Sequence, residues 1–414
     1  MARLIQIFEH ERLSLLANER GEKLFPAELE KLYEFNDKND NKYFTGIRNG
    51  IKFSSYVGVI QIGGLTIEIL PKADKETFGA KKEFNKWRDA LLNMLAICRH
   101  IKVDSVSQAT LNKRYYSLLE LYFDLFLDEV NILLHRGLIK KYRSVSRNST
   151  VLRGRIMFSK NIEQNLIHQE RFYTTYQTFD YEHTLNQILL KALGILSRIV
   201  KNVNIKQRIA RTKFDFPEIK EIEITKAHFE TINLSRKTLA YTEALKIAEM
   251  IIMNYSPDLK NGRVNMLALL FDMNMLWEEY VFRMLQRNIP SNIKVAFQNS
   301  QPFWERKTIR PDIVVTKVDA GLSETFVIDT KWKVIDSRNP SDDDLKQMYA
   351  YNLYWNSSRC MLLYPKVENY PEYFGTFHKG RAGGNSCKLG FVNVLDDQGK
   401  FDMEIGNHIL KKIF

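Results

Sequence analysis

Two short runs carry the residues best suited to chemistry. Arg310-Pro311-Asp312-Ile313-Val314-Val315 sets an acid before an apolar, β-branched stretch, and Phe326-Val327-Ile328-Asp329-Thr330-Lys331 ends a second such stretch in an acid and an amine. In a strand, residues i and i+2 point to the same face, so Asp329 and Lys331 share one. Asp329 lies seventeen positions after Asp312, and Asp319-Ala320-Gly321 is a turn signal between them. A hairpin there brings the two carboxylates together. Two carboxylates and an amine converging at strand ends can hold a divalent cation and activate a water beside a phosphodiester. Mg²⁺ suits such a set, because it takes oxygen ligands and commonly one or two carboxylates plus waters and phosphate. Lys331 would orient the water or offset the charge that develops on phosphorus. The expectation is a chain that cuts nucleic acid. The alternative is a surface hairpin with ordinary charges, since Asp-x-Lys alone is a short pattern.

The elements around the two runs must position these groups. Pro311 fits a strand start, where no ladder donor is needed. Upstream, apolar residues at 266, 269, 270, 273, 277, 280, 281 and 284 give a helical stripe through Asn265 to Val281 and beyond. Glu278 sits beside that stripe, either reaching the site or lying on a solvated helix face. Downstream, Asp342-Asp343-Asp344 is a helix-start signal. Asp344, Gln347 and Tyr351 then fall on one helix face. A strand follows at Cys360-Met361-Leu362-Leu363-Tyr364. Helix, hairpin, helix and strand make an α/β/α unit.

The order Glu278, Pro311-Asp312, Asp329-Thr330-Lys331 and Gln347-x-x-x-Tyr351 resembles the PD-(D/E)XK nuclease superfamily in its RecB-like branch. The resemblance implies Mg²⁺ ligation by Asp312, Asp329 and Glu278. It implies assistance to the attacking water by Lys331 and support of the site by Gln347 and Tyr351.

Length and composition bound the rest. The chain has 414 residues, enough for two or three domains. Its hydrophobic content of 44% supports real cores and excludes a disordered chain. A formal net charge of +12 favours anionic partners, nucleic acid before membrane. The three cysteines, Cys98, Cys360 and Cys387, are widely spaced and odd in number, which argues against a disulfide framework; Cys98 and Cys360 read as packing residues. No signal peptide and no membrane-length apolar run is evident, so a cytoplasmic protein is expected. No GxxxxGK[ST] loop is present, so nucleotide hydrolysis is not expected of this chain. The eight histidines lack zinc-site spacing.

The chain reads as an α+β multidomain protein in three segments. Residues 1–75 are β-rich, with two alternating strands around Gly63-Gly64 and a short helix over Ala27 to Phe35. Residues 76–262 are mainly helical, with stripes at Trp87 to His100, Tyr115 to Gly137, Leu185 to Ile199 and Ala240 to Met253. Gly137 is placed to end its helix. Residues 263–414 form the α/β/α unit. Two windows of the middle segment lack acids. One lies between Glu129 and Glu163 and includes Lys140, Lys141, Arg143, Arg153 and Arg155, with Tyr142 and Phe158 interleaved. It could contact DNA phosphates or dock an acidic protein surface. The other, between Glu182 and Asp215, reads first as a solvated helix face.

Across nearly the full length, four segments fall in the order found in the McrC family: Ile67-Glu68-Ile69-Leu70-Pro71-Lys72, Gly137-Leu138-Ile139-Lys140-Lys141-Tyr142, Leu152-Arg153-Gly154-Arg155-Ile156 and the nuclease motifs. McrC is the nuclease subunit of the McrBC modification-dependent restriction system. The resemblance implies that the N-terminal half binds and stimulates an McrB-like hexameric AAA+ GTPase. That partner would read modified cytosine in double-stranded DNA while this chain makes the cut. The other classes to weigh are a non-catalytic activator of an AAA+ motor and a nuclease acting alone in repair or RNA processing.

Overall fold

The computed structural model describes residues 3–72, 81–98, 117–256, 265–287, 289–319, 322–333, 335, 339–366, 372–378, 384–396 and 398–414. It is a mixed α/β chain with several sheets. Two compact units emerge, one of Arg3–Leu118 with Leu270–Phe414, the other of Leu119–Leu269. The division falls elsewhere than at 75 and 262, because the first unit draws on both ends of the chain. Among the described residues no helix is long and apolar enough to cross a membrane.

In the first unit, Arg3–Phe8 pairs in parallel with Leu65–Leu70, which pairs antiparallel with Tyr56–Ile62. Gly63 makes the tight turn of this hairpin at φ +52°, a conformation open to glycine at little cost. The strands are buried on both faces, so Val57, Val59, Ile60, Ile67 and Ile69 are all fully enclosed. The buried Glu68 is satisfied within this core, accepting a bond from Gln6 Nε2 at 2.8 Å with Arg88 Nε at 3.6 Å. Pro71 follows the last residue of Leu65–Leu70. The expected short helix is Pro26–Lys38.

The same unit holds a six-stranded sheet. Its order is Ile293–Phe297, Ile313–Asp319, Leu322–Thr330, Arg359–Pro365, Ser386–Val392 and Phe374–Thr376. The first three strands are antiparallel, and the next two run parallel to Leu322–Thr330. A parallel neighbour needs a crossover, and helix Asp342–Tyr354 supplies it. Ser341 caps that helix by accepting from Asp344 N–H at 3.2 Å, and the three aspartates oppose the helix dipole in the first turn. Met348 and Tyr351 of the helix bury against Val314, Val327, Cys360 and Leu362 on one sheet face. Helix Met273–Arg287 contacts Ile293–Phe297, Leu322–Thr330 and helix Ile405–Ile413. Gly406 permits the last contact, since a Cβ there would collide with the Met284 carbonyl.

Two expectations about elements need correction. The stripe from 266 is not one helix: Met266–Asp272 is a strand and the helix begins at Met273. Met266-Leu267-Ala268-Leu269-Leu270-Phe271 is apolar throughout, and a buried strand and a buried helix look alike at that length. The middle segment is also less purely helical than its stripes imply. Within the second unit Lys141–Ser149 and Arg155–Ile156 both pair antiparallel with Phe172–Asp180. Helices Leu118–Arg136, Thr184–Ile199 and Thr242–Met253 do follow the stripes, and Gly137 stands past the first at φ +84°. Ala320 and Gly321 of the expected turn lie outside the described residues. Cys98, Cys360 and Cys387 are free and buried.

Candidate active site

The register of the hairpin brings the acids together. Ile313 pairs with Ile328, so Asp312 meets Asp329 one step on, at the strand ends. Asp312 Oδ2 accepts from Thr330 N–H at 2.7 Å and from Thr330 Oγ1 at 3.0 Å. Asp329 is 1% exposed, and its Oδ2 forms an ion pair with Lys331 Nζ at 2.6 Å. Apart from that ion pair, this oxygen has no hydrogen-bond partner among the described residues. Lys331 Nζ also donates to Gln347 Oε1 at 3.4 Å and lies 3.7 Å from Asp344 Oδ1. Gln347 Nε2 donates to Tyr351 Oη at 2.7 Å, and Tyr351 donates onward to the Arg310 carbonyl at 2.8 Å. The helix face read as Asp344, Gln347 and Tyr351 is therefore the face turned to Lys331. Glu278 Oε2 accepts from Gln298 Nε2 at 3.2 Å, and Gln298 N–H bonds the Asp312 carbonyl at 2.8 Å.

The acids feel one another. Burial, then the charge of Glu278, pushes Asp312 up to about 6 against the Thr330 bonds. Burial, then the charge of Asp312, pushes Asp329 up to about 7 in spite of Lys331. Burial raises Glu278 as well, opposed by Gln298 and reinforced by Asp329. For Lys331, burial disfavours the cation, but Asp329 and Asp344 outweigh it and hold its amine above the usual range. For Asp344, burial is outweighed by its bonds with Lys333 and Ser341, so its carboxyl falls below the usual range. Tyr351 is raised, first by burial and then by Asp329.

All six residues expected at the site, Glu278, Asp312, Asp329, Lys331, Gln347 and Tyr351, thus lie in one electrostatic neighbourhood. Thr330, Gln298, Lys333 and the site-directed carboxylate of Asp344 join them. Thr330 could have been suspected from its place between Asp329 and Lys331. Gln298 carried no sequence signal, because only the fold brings it to Glu278. Among the described residues no three or more His, Cys, Asp and Glu side chains converge into a ready metal cage. The donors are nonetheless hard oxygens, two of them adjacent, mutually repelling and partly unpaired. That fits a Mg²⁺ held by two carboxylates, with waters and phosphate in its other positions.

The basic window belongs to the second unit. Lys141–Ser149 is an exposed strand, and Arg143 bonds Asp180 through Nε at 3.0 Å and 3.1 Å. Lys140 lies over Tyr181, and Arg147 and Arg153 lie over Tyr176. Arg155 opens the short strand Arg155–Ile156. Gly154 is at φ +77°, and a Cβ there would strike the Thr175 carbonyl and Tyr176. In the second acid-free window, Arg208 pairs with Asp124 and with Asp128 at 2.6 Å, which neutralises part of it.

Fold and cluster together define an α/β chain with an acid–lysine site at one end of a hairpin. Comparison with solved structures shows where this architecture recurs. It matches a chain of the refined half-complex from a tetradecameric assembly of Thermococcus gammatolerans McrB AAA+ hexamers with bound McrC. The TM-score is 0.71 at 21% identity, covering 99% of this chain and 100% of that one. It also matches a chain of the cryo-EM structure of the Thermococcus gammatolerans McrBC complex, with TM-score 0.51 at 20% identity over 69% of this chain and 87% of that one. At these identities the likeness concerns the fold. In sequence, the chain is 22% identical over 284 residues to the type IV methyl-directed restriction enzyme EcoKMcrBC of Escherichia coli (strain K12), 63% of this chain and 79% of that protein. Residues 51–365 match the family of McrBC 5-methylcytosine restriction system components, and the chain belongs to that family.

Proposed function

We propose that this chain is the McrC-type subunit of an McrBC-like restriction complex, a Mg²⁺-dependent endonuclease of the PD-(D/E)XK kind that cuts DNA phosphodiesters. The observation that carries the reading is the pair Asp312 and Asp329, juxtaposed at the hairpin end with Lys331 ion-paired to one of them. Asp312 and Asp329 would hold the cation, with Glu278 reaching it through a water. Bound Mg²⁺ supplies positive charge to the phosphate and a more acidic water. Lys331, held between Asp329 and Gln347, would orient the water. Gln347 and Tyr351 hold the lysine on the correct side of the sheet. Burial of Asp329 keeps bulk water from its carboxylate.

Motor and reader would belong to a partner, an McrB-like AAA+ GTPase hexamer that recognises modified cytosine. This chain has no phosphate-binding loop of its own. The strand carrying Lys141 and Arg143 supports a docking role for the second unit. Beside its basic residues, Val151, Leu152, Phe158, Leu166 and Ile167 are exposed, which suits a protein surface better than a phosphate backbone.

The test is cleavage of modified DNA by the full chain with its partner, nucleotide and Mg²⁺. Asp312→Ala and Asp329→Ala are expected to abolish cutting while the folded state and partner stimulation persist. Cutting at the wild-type rate by either variant would sink the nuclease assignment. Retained stimulation with no cutting even by the wild type would leave an activator without chemistry.

A further inference from the structure

We infer that Glu9 is a positioning residue for the candidate active site, acting through Trp332; this rests on the cleavage reading above. Glu9 directly follows strand Arg3–Phe8, far from the site in sequence, and is 6% exposed. Its Oε1 accepts two bonds, from Trp332 Nε1 at 2.6 Å and from the Lys72 backbone N–H at 3.1 Å. Its Oε2 has no hydrogen-bond partner among the described residues, and His10 Nε2 lies 3.8 Å away.

The partners of that one oxygen give the contact its meaning. Lys72 closes the Ile67-to-Lys72 segment, and Trp332 is the residue after Lys331. The Trp332 ring lies 5.2 Å from that of Trp277 and edge-on to Trp87 at 6.5 Å. Trp277 in turn is the residue before Glu278. One carboxylate oxygen therefore ties the ends of two N-terminal strands to the indole that follows Lys331 and touches the ring preceding Glu278. A buried carboxylate with one idle oxygen is a costly way to fill space, and an apolar side chain would pack there without that cost. A buried indole N–H does need an acceptor. Burial, with the charge of Asp272, pushes Glu9 up to about 7 against its two hydrogen bonds. Because both bonds use the same oxygen, a neutral amide can keep them. Fixing the Trp332 ring fixes the backbone beside Lys331, and so the reach of its amine to Asp329 and Gln347.

Glu9→Gln, Glu9→Leu and Trp332→Phe in the full chain test this. With partner, nucleotide and Mg²⁺, Glu9→Leu is expected to lower kcat about tenfold or more, with KM for DNA within about twofold. Glu9→Gln should recover kcat to within about threefold, since it retains the acceptor. Trp332→Phe keeps an aromatic ring but loses the donor, so it should match Glu9→Leu, and the double variant should be no worse than either. It also decides the matter should Glu9→Leu not fold. A merely structural role would lower the melting temperature and leave kcat of the folded protein unchanged, and that result overturns the inference. A second readout needs no cleavage: Mn²⁺ affinity of the chain alone, followed by tryptophan emission. Wild type and Glu9→Gln should bind alike and Glu9→Leu about tenfold more weakly. Equal affinity in all three overturns the role of Glu9 even where nothing is cut. Wild-type protein that binds Mn²⁺ as expected but never cuts counts against the cleavage reading alone.

Discussion

Asp312→Asn is the most informative single change, because it separates charge from hydrogen bonding. The asparagine oxygen can still accept from Thr330 N–H and Oγ1, so the hairpin end keeps its local bonds. What disappears is a negative charge that burial and Glu278 disfavour. The carboxyl stands at about 6 in the folded chain against an ordinary value of 3.8. A rise of about two pH units corresponds to about 3 kcal/mol, and partial solvent access reduces this to roughly 1–3 kcal/mol. For an acid raised on folding, the folded state holds its proton longer than the unfolded chain. Stability is then complete below about pH 4 and is lost as pH rises through about 6. Without divalent cation, the variant should therefore melt above wild type at about pH 8, and the gap should close near pH 4. Millimolar Mg²⁺ should raise the melting temperature of wild type and leave the variant nearly unmoved. Scanning fluorimetry at the two pH values, with and without Mg²⁺, reads all four conditions. A variant that is no more stable than wild type at the higher pH refutes the account of Asp312 and Asp329 as a strained acid pair awaiting a cation.

Further outcomes follow from the same geometry. Ligand carboxylates must be ionised, so cleavage should rise with pH across the interval from about 6 to about 7 set by Asp312 and Asp329; a flat profile from about pH 5 upward would contradict that ligand set. Tyr351→Phe loses the bonds to Arg310 and Gln347 and should lower kcat roughly tenfold with little change in KM, measured in steady-state cleavage. Reversing charge at Lys140, Lys141, Arg143, Arg153 and Arg155 should abolish partner stimulation and leave residual DNA affinity and its salt slope unchanged; a flattened salt slope with normal assembly would instead place DNA on that surface. Gly154→Ala should disrupt the sheet that carries those residues by about 2 kcal/mol or more, seen as a shifted melting transition.

Much of the chemistry was legible from residue order alone. The period-two alternation around Asp312 and Asp329 fixes which side chains share a strand face. The Gln347 and Tyr351 spacing fixes one helix face. Those local rules hold because side-chain direction in a strand or helix depends on backbone geometry, whatever surrounds it. Gly63 and Gly137 were legible for the same reason: their backbone angles are local.

Tertiary structure alone decided what crosses the chain. Strand Met266–Asp272 was not legible because its continuous apolar run lacks the period that tells a strand from a helix. Strand Lys141–Ser149 was hidden because its exposed, mostly polar residues leave no apolar alternation, and its pairing with Phe172–Asp180 is set by register with a distant segment. Glu278 depended on Gln298, and Asp344 on Lys331 and Lys333, through side chains that meet only across the sheet end. Glu9 and Trp332 are 323 positions apart, and nothing local to either announces the other. Sequence determines the type and local direction of each group; only the packed fold determines which of them share a low-dielectric space and therefore feel each other's charge.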